Sequence, residues 1–143
     1  SAKPFDKADA DALVQLMREN KFGPALAHAP YTLNPCAADP GLRDYARDVM
    51  KDDLWRMDHF PGAMYNFHPG SHVKQGAERG IELIAEHLNA ILRPDLKTLV
   101  LLETMAGKGG HCFGRGELLW NKAFYIFRVA LPRLLCHFRV SQQ

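Results

Sequence analysis

Over residues 6 to 20 apolar side chains recur at three- and four-residue intervals, with Ala10, Leu13, Val14 and Met17 on one face. This spacing predicts a helix, capped by Asp6 and ended by Asn20 to Gly23. A short apolar run between prolines, residues 24 to 30, then reads as a buried strand. Asp39 followed by Pro40 is a cap and first-position pair for a second helix, whose apolar stripe is Leu42, Tyr45, Ala46, Val49 and Leu54. Residues 62 to 68, rich in aromatics and closed by Pro69-Gly70, read as a second strand. A third helix is predicted from about Gly76 to Leu92, with Ile81, Ile84, Ala85, Leu88 and Leu92 on one side and Pro94 just past its end. Leu99 to Glu103 makes a third strand, continuous in its apolarity up to the glutamate. Helix and strand alternate three times, which implies α/β architecture: a parallel sheet covered by helices.

The strand ends carry the chemistry. His68 and His72 stand four apart, the spacing at which a helix offers two ligands to one metal, but Pro69 and Gly70 break any helix between them. His68 belongs instead at the end of a strand. It lies 40 residues after His28 and 35 before Glu103, each interval about one strand-plus-helix unit, so all three residues fall at the C-terminal ends of successive parallel strands. That is the edge where α/β barrels gather their functional groups. Two imidazoles and a carboxylate suit zinc or manganese and leave a coordination position open, as catalytic sites do. The competing explanation is that each histidine is a hydrogen-bonded loop or core residue; Glu103 weighs against it, because a carboxylate ending the run TLVLL needs a partner if buried.

Other motifs carry less. LLETMAGKGG lacks both the first glycine and the Ser or Thr after the lysine that a phosphate loop requires, so its glycines serve a sharp turn. His111 and Cys112 are weaker candidates for an added ligand. Tyr31, three residues past His28, is either an exposed side chain that stacks on a base or sugar or a packed loop aromatic.

Composition bounds the rest. The 143 residues are one domain's worth, and 47% apolar with 24% charged residues excludes disorder and coiled coil. A net charge of +2 gives no support for a basic nucleic-acid face. Cys36, Cys112 and Cys136 form neither a disulfide framework nor a zinc knuckle, and a reducing cytoplasm fits them. The N-terminus has no signal-peptide core and no initiator methionine, as in a trimmed or partial chain. Residues 118 to 143 are apolar and basic without an acid, yet Lys122, Arg128, Pro132 and Arg133 interrupt any membrane-spanning window. An amphipathic helix at a membrane surface is the remaining membrane role for that tail.

Three segments, AHAPYTLN, YNFHPGSH and LLETMAGKG, resemble in order and spacing the strand ends of the endonuclease IV family, AP endonuclease family 2. The resemblance spans roughly residues 4 to 117, leaving 118 to 143 as a divergent tail. It implies a partial TIM (β/α) barrel of about three parallel strands, cut from an eight-stranded barrel with a trinuclear zinc site. The implied activity is hydrolysis of the phosphodiester 5′ to abasic sites in double-stranded DNA, in base excision repair. Residue by residue, it implies that His28 and His68 hold one zinc, that Glu103 bridges it to a second and is the catalytic carboxylate, and that Tyr31 meets the DNA. Thr32 departs from the family's leucine, and the remaining strands and ligands have no counterpart. Two other readings stand beside it: a sugar-isomerase-like metal-dependent barrel, and a non-catalytic piece that keeps one metal site and self-associates through open sheet edges.

Overall fold

A computed structural model describes residues 3–103 of the chain. The order is α1 (Lys7–Glu19), β1 (Leu26–His28), α2 (Pro40–Met57), β2 (Met64–Phe67), α3 (Ala77–Ile91) and β3 (Leu99–Leu102). All six predicted elements are present; α2 begins at Pro40 as expected and runs past Leu54 to Met57, and the other five are shortened by a residue or more. Both capping aspartates act as expected: Asp6 accepts from the Ala8 and Asp9 amides, and Asp39 accepts from Leu42 with Pro40 beginning the helix.

The strands form one parallel sheet in the order β1-β2-β3. Its register aligns His28 with Asn66 and Asn66 with Leu101. Because side chains alternate across a strand, Tyr65, Phe67, Val100 and Leu102 share one face, and all four are buried in the core. Met50 and Leu54 of α2 and Ile81, Ile84 and Leu88 of α3 close over that face. The opposite face carries Asn66 and Leu101, and the same parity carries on past the strand ends to His68 and Glu103. A helix-covered sheet with chemistry on its other face is the layout of a section of (β/α) barrel.

Three expectations fail in detail. β1 is not buried: Leu26 is 60% exposed, because β1 forms an edge of the described sheet. In α2, Leu42 and Tyr45 are exposed, and the buried stripe is Ala46, Met50 and Leu54. The i, i+4, i+8 row meets α3; of the predicted stripe, Ala46, Val49 and Leu54 pack on the core, and Leu42 and Tyr45 face solvent. Similarly, Ala10 is the one buried residue of α1, with Leu13 exposed.

Among the described residues two buried ones are polar, His87 and Thr98. His87 of α3 is 1% exposed, with Nε2 3.2 Å from Met50 Sδ and no partner at Nδ1. Burial, helped by the nearby Arg47 guanidinium, pushes its pKa down from 6.5 to about 4. The folded protein thus holds His87 neutral, and its unfolded chain binds the extra proton first. Stability is complete above pH 6.5 and falls between 6.5 and 4, by about 2 kcal/mol at pH 5. Urea unfolding at pH 7.5 and pH 5 measures that loss, and His87→Leu is expected to remove most of it.

Candidate metal centre

Parallel pairing brings the three strand ends level, and the side chains on the uncovered face converge there. His28 Nε2 lies 2.9 Å and His68 Nε2 3.8 Å from the same oxygen, Glu103 Oε2. The two imidazole rings are 4.9 Å apart, centre to centre. One ligand atom from each of the three residues lies within 4.8 Å of the others. The backbone ladder continues to this level, through Ala29 N donating to Asn66 O (2.8 Å) and Glu103 N to Phe67 O (3.0 Å). The site is therefore held by the sheet itself.

Second contacts orient the first. A carbonyl oxygen only accepts, so the 2.7 Å contact between His28 Nδ1 and Ala29 O fixes the proton on Nδ1 and turns Nε2 toward the site. Asn66 donates from Nδ2 to Glu103 Oε2 at 2.6 Å. Nε2 of His28 lies within hydrogen-bond distance of Glu103 Oε2. The Ala29 carbonyl first, and the Glu103 carboxylate second, raise the His28 pKa above 6.5. The His28 bond, with Asn66 assisting, holds the Glu103 carboxyl below its usual value. A carboxylate beside two imidazoles is a place that favours positive charge.

The donor set fits a metal ion. Tetrahedral zinc with bonds of about 2.0–2.1 Å separates its donors by about 3.3 Å, and the 2.9 and 3.8 Å contacts straddle that value. All three ligand atoms lie within 4.8 Å of one another, so holding an ion requires the side chains to draw together. All three side chains are accessible among the described residues, with His68 the least so at 24%. That leaves room for a substrate group at an open position.

Of the residues singled out in the sequence, His28, His68 and Glu103 thus come together. Tyr31 sits in the turn after β1 and is 84% exposed, so the packed-aromatic alternative does not describe it. His72 lies on the loop after β2, away from helical pairing with His68, with its Nδ1 buried and unpartnered. His111, Cys112 and the boundary at Glu117 lie outside the described residues. Asn66 was missed by sequence reasoning. The signal was its parity: it stands two places before His68, on the same face of the strand. No helix among the described residues is long and apolar enough to cross a membrane.

The model of the xylose isomerase-like TIM barrel family, AP endonuclease family 2, matches residues 1–132. Among curated relatives, the "Probable endonuclease 4" of Alkaliphilus oremlandii is 59% identical over 108 residues, 76% of this chain and 38% of its own length. The protein of the same name from Akkermansia muciniphila is 58% identical over 108 residues, 76% of this chain and 39% of its own. That of Methanosphaera stadtmanae is 53% identical over 139 residues, 95% of this chain and 50% of its own. The chain spans half the length of these relatives or less. With three parallel strands whose C-terminal ends bring His28, His68 and Glu103 together, and with the family match running through the described sheet and beyond, the chain belongs to AP endonuclease family 2, the xylose isomerase-like TIM barrels.

Proposed function

We propose that this chain provides part of the active centre of a zinc-dependent DNA endonuclease that hydrolyses the phosphodiester 5′ to abasic sites in base excision repair. The observation that carries the reading is the convergence of His28, His68 and Glu103 on one point at the C-terminal rim of the sheet. The names of the relatives, "Probable endonuclease 4", support a DNA substrate.

In this reading His28 and His68 would hold one cation through Nε2 in place of the His28–Glu103 hydrogen bond, and the Glu103 carboxylate, still held by Asn66, would present its charge to the same point. A divalent ion there would polarise a phosphoryl oxygen and acidify water for attack on phosphorus. Asn66 keeps the carboxylate oriented, and the Ala29 carbonyl keeps His28 in the required tautomer. The exposure of Tyr31 on the adjoining turn supports a role in stacking against the DNA. The described residues hold the ligand set of one cation, and the outer edges of β1 and β3 carry no strand partner among them. Incision by the chain alone is therefore expected to be absent or slow, with self-association through those edges as a route to a fuller site.

The test is binding and incision on a duplex with a single abasic site beside an intact duplex, in zinc and in EDTA. Fluorescence anisotropy is expected to show preference for the abasic duplex, weakened roughly fivefold by Tyr31→Ala, the value of about 1 kcal/mol for a stacking contact. Incision, where it occurs, is expected to require the abasic site and to stop in EDTA. Equal treatment of both duplexes, or EDTA-resistant cutting, contradicts the reading; isomerisation of a ketose without abasic-site activity would favour the sugar-isomerase alternative.

A further inference from the structure

We propose that Asn34 is a positioning residue that sets the separation of His28 and His68, and so the bite of the two imidazoles on a cation; this rests on the metal-centre reading above. The last ladder bond between β1 and β2 is Ala29 N to Asn66 O, just below the site. Beyond it the two chains part into loops, one leading to α2 and one, through His68, to α3. His28 stays within the ladder, whereas His68 lies one residue past β2, tied to the sheet through Phe67, whose carbonyl accepts from Glu103 N.

The Asn34 side chain supplies the tie. Its Nδ2 donates to Ser71 O at 2.9 Å while Ser71 N donates to its Oδ1 at 3.2 Å. One carboxamide therefore exchanges both hydrogen bonds with one backbone residue and clasps the loop after β1 to the loop after β2. The same Oδ1 accepts from Cys36 N at 3.3 Å, which fixes the amide within its own loop. Gln75 reinforces the join by donating to Cys36 O at 3.1 Å.

Gly70 shows how closely the parts fit. Its φ of +84° disfavours any side chain, and a Cβ there would overlap Asn34 Oδ1. Pro35 and Pro69, on the two loops, are both fully buried. His68 lies between Phe67 of β2 and the buried Pro69, so the grip of Asn34 on Ser71 holds the chain on the far side of His68 as the sheet holds the near side. The contact between loops 37 residues apart in sequence is thereby converted into a distance between two ligands.

Cobalt(II) titration of the full 143-residue chain, followed by visible absorption and zinc displacement, tests this in wild type, Asn34→Ala and Asn34→Asp. The aspartate is nearly isosteric and keeps the acceptor, but cannot donate to Ser71 O. Both variants are expected to bind about 10- to 100-fold more weakly, the range for partners that orient metal ligands, with shifted ligand-field bands. If Asn34→Ala fails to fold by circular dichroism, Asn34→Asp decides. Unchanged affinity and band positions in a folded variant overturn the proposal while leaving the centre intact. A wild-type chain that takes up no cobalt(II) through nitrogen and oxygen ligands overturns the centre and the proposal together.

Discussion

Asp58→Ala is expected to destabilise the fold by about 3 kcal/mol while leaving the rim of the sheet unaltered. Asp58 follows α2, and its Oδ1 accepts from Lys97 N (3.0 Å), Thr98 N (3.0 Å) and Thr98 Oγ1 (2.8 Å). Its Oδ2 accepts from Arg93 at 3.1 Å, but Arg93 is half exposed and that bond adds little. The three bonds at Oδ1 tie the approach to β3 to the end of α2, at the foot of the sheet opposite the candidate centre. Thr98 is 5% exposed, so truncating Asp58 leaves buried donors without an acceptor. Hydrogen bonds to a charged group contribute about 1.5–3 kcal/mol each and do not simply add, which sets the total near 3. For a chain of this size the melting temperature is expected to fall by roughly 10 °C. Asp58→Asn keeps an acceptor and should lose about 1 kcal/mol. A melting temperature unchanged in Asp58→Ala would show that the clamp contributes nothing to the fold.

Glu103→Ala is expected to reduce metal uptake from about one ion per chain to near none. The carboxylate is the common contact of both imidazoles, at 2.9 and 3.8 Å, and the anionic member of the set. Removing it leaves two neutral nitrogen donors and no charge to offset the cation. Loss of a direct ligand should exceed the upper end, about 100-fold, of what outer partners contribute. Glu103→Gln keeps the shape and a weak oxygen donor but not the charge, so its affinity should fall between those of the alanine variant and wild type. Glu103 is 44% exposed, and the stability of the metal-free protein should change little in either variant. Zinc content after gel filtration measures the effect; full retention by Glu103→Ala would place the metal elsewhere.

Much of this site was legible because sequence spacing encodes topology. Strand, helix and strand consume 35 to 40 residues per unit, so ligands repeating at that interval must rise to the same edge of a parallel sheet. The caps at Asp6 and Asp39 were legible because their chemistry is local. What escaped was decided by tertiary contact. Leu42 and Tyr45 look like core positions on a helical wheel, yet the row meeting α3 is Ala46, Met50 and Leu54. β1 is apolar in sequence but exposed, since burial depends on neighbours that local pattern does not name. Asn34 acts on a residue 37 positions away, through a pairing that no periodicity marks. His87, too, reads as an ordinary polar helix position until α3 is laid on Met50.

Whether one cation is shared by His28, His68 and Glu103 is tested most directly by zinc K-edge absorption spectroscopy on the purified, zinc-loaded chain. The expected spectrum has a nitrogen and oxygen shell at about 2.0–2.2 Å, with the multiple-scattering signature of two imidazoles that drops to one in His68→Ala. A sulfur shell at about 2.3 Å, or a spectrum unchanged by His68→Ala, would contradict it.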